Sequence, residues 1–184
     1  MKKKFWVTLI VILLALPAIM VLFLARAGFF TNAEISETEM GPLVVVYEDH
    51  KGPYKGTAEI MDRIYDSLLE DGIETFRGIG IYYDKPGETA EEDLRSKAGC
   101  VVEFSDTTAL AALQPEYRIM TLPGTRYVTA SIPFRGPLSV FAGIVKVYPA
   151  IGRYMEEQGY PPAPAIEIYD HNERIVYLFE IRQE

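Results

Sequence analysis

Glu167 is the side chain in this sequence best placed to do chemistry. It stands alone inside the apolar run PAIEIY, Pro164 to Tyr169. Read as a strand, that run puts Ala165, Glu167 and Tyr169 on one face and Ile166 and Ile168 on the other. The next run, RIVYLFEI from Arg174, divides the same way into an aliphatic set, Val176 and Leu178, and an aromatic set, Tyr177 and Phe179. A carboxylate in an aromatic wall attracts a cation through its charge, and the rings add cation–π attraction of about 0.5–2 kcal/mol. Where such a wall is dry, the carboxyl pKa rises. Tyr83 and Tyr169 stand at matching places in two similar stretches, each just before an aspartate, Asp84 or Asp170. With Phe134 they complete a candidate ligand-binding set of Glu167, Tyr169, Tyr83, Tyr177 and Phe134. The same residues also suit plain strand packing, with a solvent-facing carboxylate and tyrosine hydroxyls at the rim.

Other chemistries find less support. His50 and His171 lie far apart and lack metal-ligand spacing, so no metal or other cofactor is expected. No Ser–His–Asp or Cys–His set supports a covalent route. Cys100 is the only cysteine and cannot form an internal disulfide; its setting, GCVVEF, reads as a buried, inert thiol. DKPGE, Asp84 to Glu88, is a turn signal, and GPY and GPL mark helix starts. Residues 31–184 hold 14 Lys and Arg against 26 Asp and Glu. That balance speaks against nucleic-acid binding.

The chain of 184 residues divides into an anchor, a linker and one domain. Phe5 to Leu24 is an uncharged run of about 20 residues, enough to cross a hydrocarbon core about 30 Å thick as a helix. Ala25 to Ala27, ARA, has the form of a signal-peptidase site, yet the run exceeds a signal core of roughly 7–15 residues. Residues 1–30 are therefore expected to remain as a transmembrane anchor. Lys2, Lys3 and Lys4 precede the run, and only Arg26 follows it before Glu34, Glu37 and Glu39. This bias predicts a single-pass protein with a cytoplasmic N-terminus and an extracytoplasmic domain. Residues 31–41 read as a polar, acidic linker and residues 42–184 as the domain.

The domain repeats one plan. LVVVYEDHKGPY is a strand running into a Gly-Pro helix start; Ile60, Met61, Ile64 and Leu68 mark a helix that ends at Gly72, and the strands GIGIYYD and GCVVEF follow. RYVTASIPFRGPL, the stripe Phe141, Ile144, Tyr148, Ile151 and Met155 ending at Gly159, and then AIEIYD and RIVYLFEI repeat it. Pro149 predicts a kink near Val145, and TTALAALQ, Thr107 to Gln114, reads as the crossover between halves. The expected fold is α+β: two strand–helix–strand–strand units forming an antiparallel sheet, with helices on one side and a ligand cleft on the other. In that arrangement the aliphatic strand set faces the helices, and the aromatic set with Glu167 faces the open side.

YYDKPGE, LRSKAGCVVE, FRGPLSVF and PAIEIYD, in that order and spacing, resemble the GyrI-like small-molecule-binding domain, the effector-binding module of AraC-type and MerR-type regulators, over roughly Leu43 to Ile181. The resemblance implies a duplicated fold enclosing a cleft, in which the glutamate of the second-half EIY element, here Glu167, faces lipophilic and often cationic ligands. The family's second helix often ends in a tryptophan; the only Trp here, Trp6, lies in the anchor, and Tyr154 stands in its place. A eukaryotic ER-phagy receptor carries such a domain behind an N-terminal anchor, a layout this chain resembles, although that receptor's domain faces the cytosol. No DNA-binding segment precedes the domain, so a membrane-tethered binding module without catalytic activity is expected rather than a transcription factor. Two alternatives stay open. One is a small hydrolase, as some relatives imply, with Glu167 as general base and Tyr169 as its helper; the other is a protein-interaction module with a vestigial cleft.

Overall fold

The computed structural model describes residues 2–26, 30, 33–103, 117–170 and 174–182. The expected crossover at Thr107 to Gln114 and the turn holding His171 lie outside the described residues. The apolar N-terminal run forms helix α1 (Lys2–Arg26), the one helix among the described residues long and apolar enough to span a membrane.

Beyond it lies a single eight-stranded antiparallel sheet. Its strands are β1 (Ser36–Met40), β2 (Leu43–Lys51), β3 (Arg77–Tyr82), β4 (Arg95–Val102), β5 (Arg118–Leu122), β6 (Thr125–Pro133), β7 (Ala165–Asp170) and β8 (Arg174–Glu180), in the spatial order β1-β6-β8-β7-β3-β4-β2-β5. Helix α2 (Thr57–Glu70) follows β2; α3 (Pro137–Ala142) and α4 (Tyr148–Gln158) follow β6, joined by a π-helical turn over Gly143–Val147. The two expected units are β2-α2-β3-β4 and β6-α3-α4-β7-β8, and they meet where β3 pairs with β7.

The two remaining strands are exchanged between units. β1 precedes the first unit but pairs with β6 of the second, and β5 precedes the second but pairs with β2 of the first. Residues 31–41, read as linker, thus contribute an edge strand. SETEM has no apolar alternation to announce it; backbone pairing with β6 makes it a strand. The exchange also draws the sheet's two edges together. The connection at Gly41-Pro42 touches that at Pro123-Gly124 so closely that a Cβ on Gly41, whose φ is 91°, would lie 2.8 Å from the Pro123 carbonyl oxygen. The sheet curls into a half-barrel, and Val45, Ile79, Ile81, Val101, Ile166, Ile168 and Leu178 fill its inner face.

This curl decides which face the helices take. Both cover the same face: Ile60, Ile64 and Leu68 of α2 pack on Val46, Ala98 and Cys100, while Val147, Ile151 and Met155 pack on Ala130, Ile175 and Tyr177. Strand pairing sets Ala130, Tyr177, Glu167, Gly80 and Ala98 in one row on that face. The helices lie on one side as expected, but the aromatic set and Glu167 face them, and the aliphatic set lines the half-barrel. Closing the sheet on itself buries small aliphatic side chains without a helix, and longer aromatic ones bridge the gap between sheet and helix.

The kink expected from Pro149 takes the form of the π turn. Proline supplies no donor to the carbonyl of Val145, and the wider turn accommodates that loss. The extra residue per turn also rotates the apolar stripe. Tyr148, Ile151 and Met155 point inward as read, but Phe141 and Ile144 are exposed, and Ala142, Gly143 and Val147 are buried in their stead.

Candidate functional site

The site lies where the two units join. Ile79–Tyr82, IGIY, and Ile166–Tyr169, IEIY, occupy equivalent strands of the duplicated plan, and Gly80 is the direct cross-strand partner of Glu167. One unit thus offers a carboxylate where the other offers a bare backbone. Glu167 is buried, with 4 % of its surface exposed. Tyr148, in the first turn of α4, donates its hydroxyl to Glu167 Oε1 at 2.5 Å. Tyr169, two residues along the strand, donates its hydroxyl to Oε2.

Aromatic rings close around this pair of hydrogen bonds. The Tyr148 ring meets Tyr177 and Phe179 edge-on, at 5.7 and 5.9 Å between centroids, and Tyr169 meets Phe134 at 6.0 Å. From the first unit comes Tyr82. Its hydroxyl lies over Gly80, where a Cβ would fall 2.5 Å from it, and 3.3 Å from Thr57 Oγ1. Its ring packs on Tyr54 at 4.7 Å; Tyr54 also lines a surface groove of about 440 Å³ with Pro86, Gly87, Thr89, Glu91 and Leu94. The Tyr177 hydroxyl is buried without a hydrogen-bond partner among the described residues and rests on Gly143 of the π turn, where a Cβ would lie 1.8 Å away.

Burial pushes the Glu167 carboxyl above the usual glutamate range, and the hydrogen bonds from Tyr148 and Tyr169 only partly oppose it. The surrounding hydroxyls move the same way. Burial, then the Glu167 charge, pushes Tyr82 to about 12 and Tyr148, Tyr169 and Tyr177 further up. All four remain protonated at neutral pH. Among the described residues, every ion pair lies elsewhere, and no Lys or Arg offsets the Glu167 charge. The buried carboxylate thus has, among the described residues, two hydroxyl donors and no counter-ion.

Of the residues singled out from sequence, Glu167, Tyr169, Tyr177 and Phe134 come together. Tyr83 does not. It is 39 % exposed and faces Lys97 and Asp49 on the other side of the sheet. The first half carries two tyrosines before its aspartate and the second half one, so matching the aspartates slips the register by one residue, and a slip of one reverses the face. The partner of Tyr169 is Tyr82. Tyr148 was visible only as a member of the helical stripe; a tyrosine among aliphatic stripe positions, carrying a polar tip into the core, was the available signal. Tyr154 joins Tyr160 and Arg126 on Glu37 of β1. Hydrogen bonding from Tyr160, foremost, holds that carboxyl below its ordinary value. Cys100 is buried, and burial pushes its thiol up to about 12. Among the described residues no three His, Cys, Asp or Glu side chains gather as metal ligands.

The sequence profile of the GyrI-like small molecule binding domain matches residues 33–180. The chain belongs to the GyrI-like family. The Testis-expressed protein 264 homolog of Mus musculus is 24 % identical over 170 residues, 88 % of this chain and 53 % of that protein. The chain spans about half the length of the curated relatives it matches. Among solved structures, SAV2435 bound to tetraphenylphosphonium superposes with a TM-score of 0.56 at 15 % identity, covering 81 % of this chain and 94 % of that one. A hydrolase from Listeria innocua gives 0.52 at 10 % identity, covering 86 % and 97 %. At these identities the likeness is one of fold. The matched residues include β1.

Proposed function

We propose that this protein is a membrane-anchored binding module for lipophilic cations, which the cleft at Glu167 holds without chemical turnover. The observation that carries the reading is the buried Glu167 carboxylate, hydrogen-bonded by two tyrosines, ringed by aromatic side chains and lacking a counter-ion among the described residues. A delocalised cation supplies the missing charge, and its apolar surface meets the rings. The fold neighbour SAV2435, bound to tetraphenylphosphonium, holds a ligand of this chemistry. Because Glu167 is 4 % exposed, a ligand reaches it only when a covering ring turns aside. The apolar helix α1 is the anchor, and the lysines of its first turn set the N-terminus in the cytoplasm and the domain outside.

The test is a titration of the full chain in vesicles with tetraphenylphosphonium and with tetraphenylborate, an anion of nearly the same shape. Comparing wild type with Glu167→Gln in the same vesicles cancels partition into lipid. The cation should lose about 1–3 kcal/mol of affinity in E167Q, the range of a charge-assisted contact, and the anion should not. Equal cation affinity in both proteins would remove Glu167 from the site. A second reading draws on the raised proton affinity of Glu167 beside the Tyr169 hydroxyl, which suits a general base. Steady turnover of an activated ester, lost in E167Q, would establish it in place of simple binding.

A further inference from the structure

One surface away from Glu167 departs from the rest of the domain. Phe141, Ile144 and Val145 are 54 %, 56 % and 48 % exposed, and their spacing sets them on one face of the helix around the π turn. From Arg135 to Met155 the chain holds no Asp or Glu; its charges are Arg135, Lys146 and Arg153, in a domain otherwise rich in acid. The contrast with α2 is direct: its exposed Leu69 sits among Asp66, Glu70 and Asp71.

The chain enters the domain against the core of the same unit. Nine residues separate α1 from β1 and reach at most about 35 Å when extended. Ala33 and Ile35, the last of them described before β1, pack against the core cluster that also receives Val140 and Tyr148, on either side of the patch. A bilayer entered by α1 is therefore the apolar surface nearest to hand. An apolar helix face bordered by basic residues is the pattern that settles into the headgroup layer of anionic lipid.

We propose that Phe141, Ile144 and Val145 insert into the interface of the bilayer that α1 enters, with Arg135 and Arg153 against anionic headgroups, so that the domain lies on the membrane by its second-unit helix. This rests on α1 being a membrane anchor, and the experiment reads that point separately. The full chain is reconstituted in vesicles of phosphatidylcholine with phosphatidylglycerol, with and without brominated acyl chains, which quench nearby indoles. Trp6, the only tryptophan, reports the anchor in the wild type. The double variants W6F/I144W and W6F/L69W report the two helix faces. Expected are quenching of Trp6, blue-shifted and bromine-quenched emission from I144W, and red, unquenched emission from L69W. Quenching of I144W should fall when phosphatidylglycerol is left out.

If Trp6 itself is not quenched, the anchor fails and the docking with it. If Trp6 is quenched while I144W behaves like L69W, the anchor stands and the docking is overturned. Emission from I144W that is shielded from aqueous iodide but indifferent to bromine points to a second copy of the chain on this face, which also overturns the proposal. Phe141→Ser combined with Val145→Ser should return I144W to water without lowering the melting temperature. A loss of folding there leaves the comparison of I144W with L69W to decide.

Discussion

The two units of the sheet present equivalent rows to their helices, and the rows differ in size. The second unit offers Ala130, Tyr177 and Glu167; the first offers Glu48, Ala98 and Gly80 at the corresponding places. Where the second unit has a carboxylate and a phenol, the first has a hydrogen and a methyl group. The space over Gly80 is what admits the Tyr82 hydroxyl, and so a side chain of the first unit helps to enclose the charge of the second. The helices follow suit. α2 buries Ile60, Ile64 and Leu68 at a regular interval of four, whereas the second helix widens into a π turn and places Gly143 over Tyr177. Duplication supplied two like surfaces, and exchanging large for small across the seam made one enclosed site of them.

The largest effect is expected where the second unit is most tightly filled. In Gly143→Ala the new methyl group meets the Tyr177 hydroxyl on a buried surface, and overpacking of this kind costs about 1–3 kcal/mol. Urea unfolding should show the loss. Tyr177→Phe alone should cost little, because the hydroxyl it removes has no hydrogen-bond partner among the described residues, and it should relieve most of the Gly143→Ala penalty when the two are combined. Additive losses would mean that helix and strand do not meet there. In the first unit the Gly80→Ala methyl group would lie 2.5 Å from the Tyr82 hydroxyl, against 1.8 Å between Gly143→Ala and Tyr177, so its loss should be smaller.

Next comes the charge itself. Burial raises the folded-state carboxyl of Glu167 above its unfolded value, so the folded protein binds that proton more tightly. Its contribution to stability is full below the unfolded value and is lost as pH climbs through the raised folded one. E167Q has no such loss. In acid, where both side chains are neutral, the two proteins should differ by less than about 1 kcal/mol; above the window E167Q should be the more stable. Melting temperatures across pH would show the two curves separating. Parallel curves would mean that Glu167 is not desolvated.

How much of this was legible follows from which residues interact locally. Strand alternation set Glu167 beside Tyr169 and across from aromatic residues of the next strand, and the repeat of Gly-Pro helix starts exposed the duplication; both are short-range patterns. The curl of the sheet was not legible, because it comes from β1 and β5 pairing with the opposite units, contacts between residues about 90 apart in sequence for Ser36 and Thr129. Without the curl, the aliphatic set looked like the helix-facing one. Tyr82 was lost to Tyr83 through a one-residue difference between the halves, and Phe141 and Ile144 fell into the helical stripe because regular spacing was carried through the expected kink, which takes the form of a π turn that shifts the inward positions.

The finest comparison sets one tyrosine from each unit against the other. Tyr148 donates directly to Glu167, whereas Tyr82 lies over Gly80, bonds Thr57 and Tyr169, and reaches the carboxylate only through Tyr169. Tyr148→Phe removes a donor that favours the ionised carboxylate, so the raised Glu167 carboxyl should rise further. A cation binds the ionised form, and its affinity should therefore increase with pH through the Glu167 titration. In Y148F the midpoint of that rise should move to higher pH while the plateau above it stays near the wild-type value. Tyr82→Phe takes no direct donor from Glu167 and acts only through Tyr169; its midpoint should move less than that of Y148F and its plateau shift by less than about 0.5 kcal/mol. Titrating tetraphenylphosphonium into both variants over a range of pH separates the cases. A midpoint that moves as far in Y82F as in Y148F would make the two tyrosines equivalent partners of the carboxylate, and the seam between the units symmetric after all.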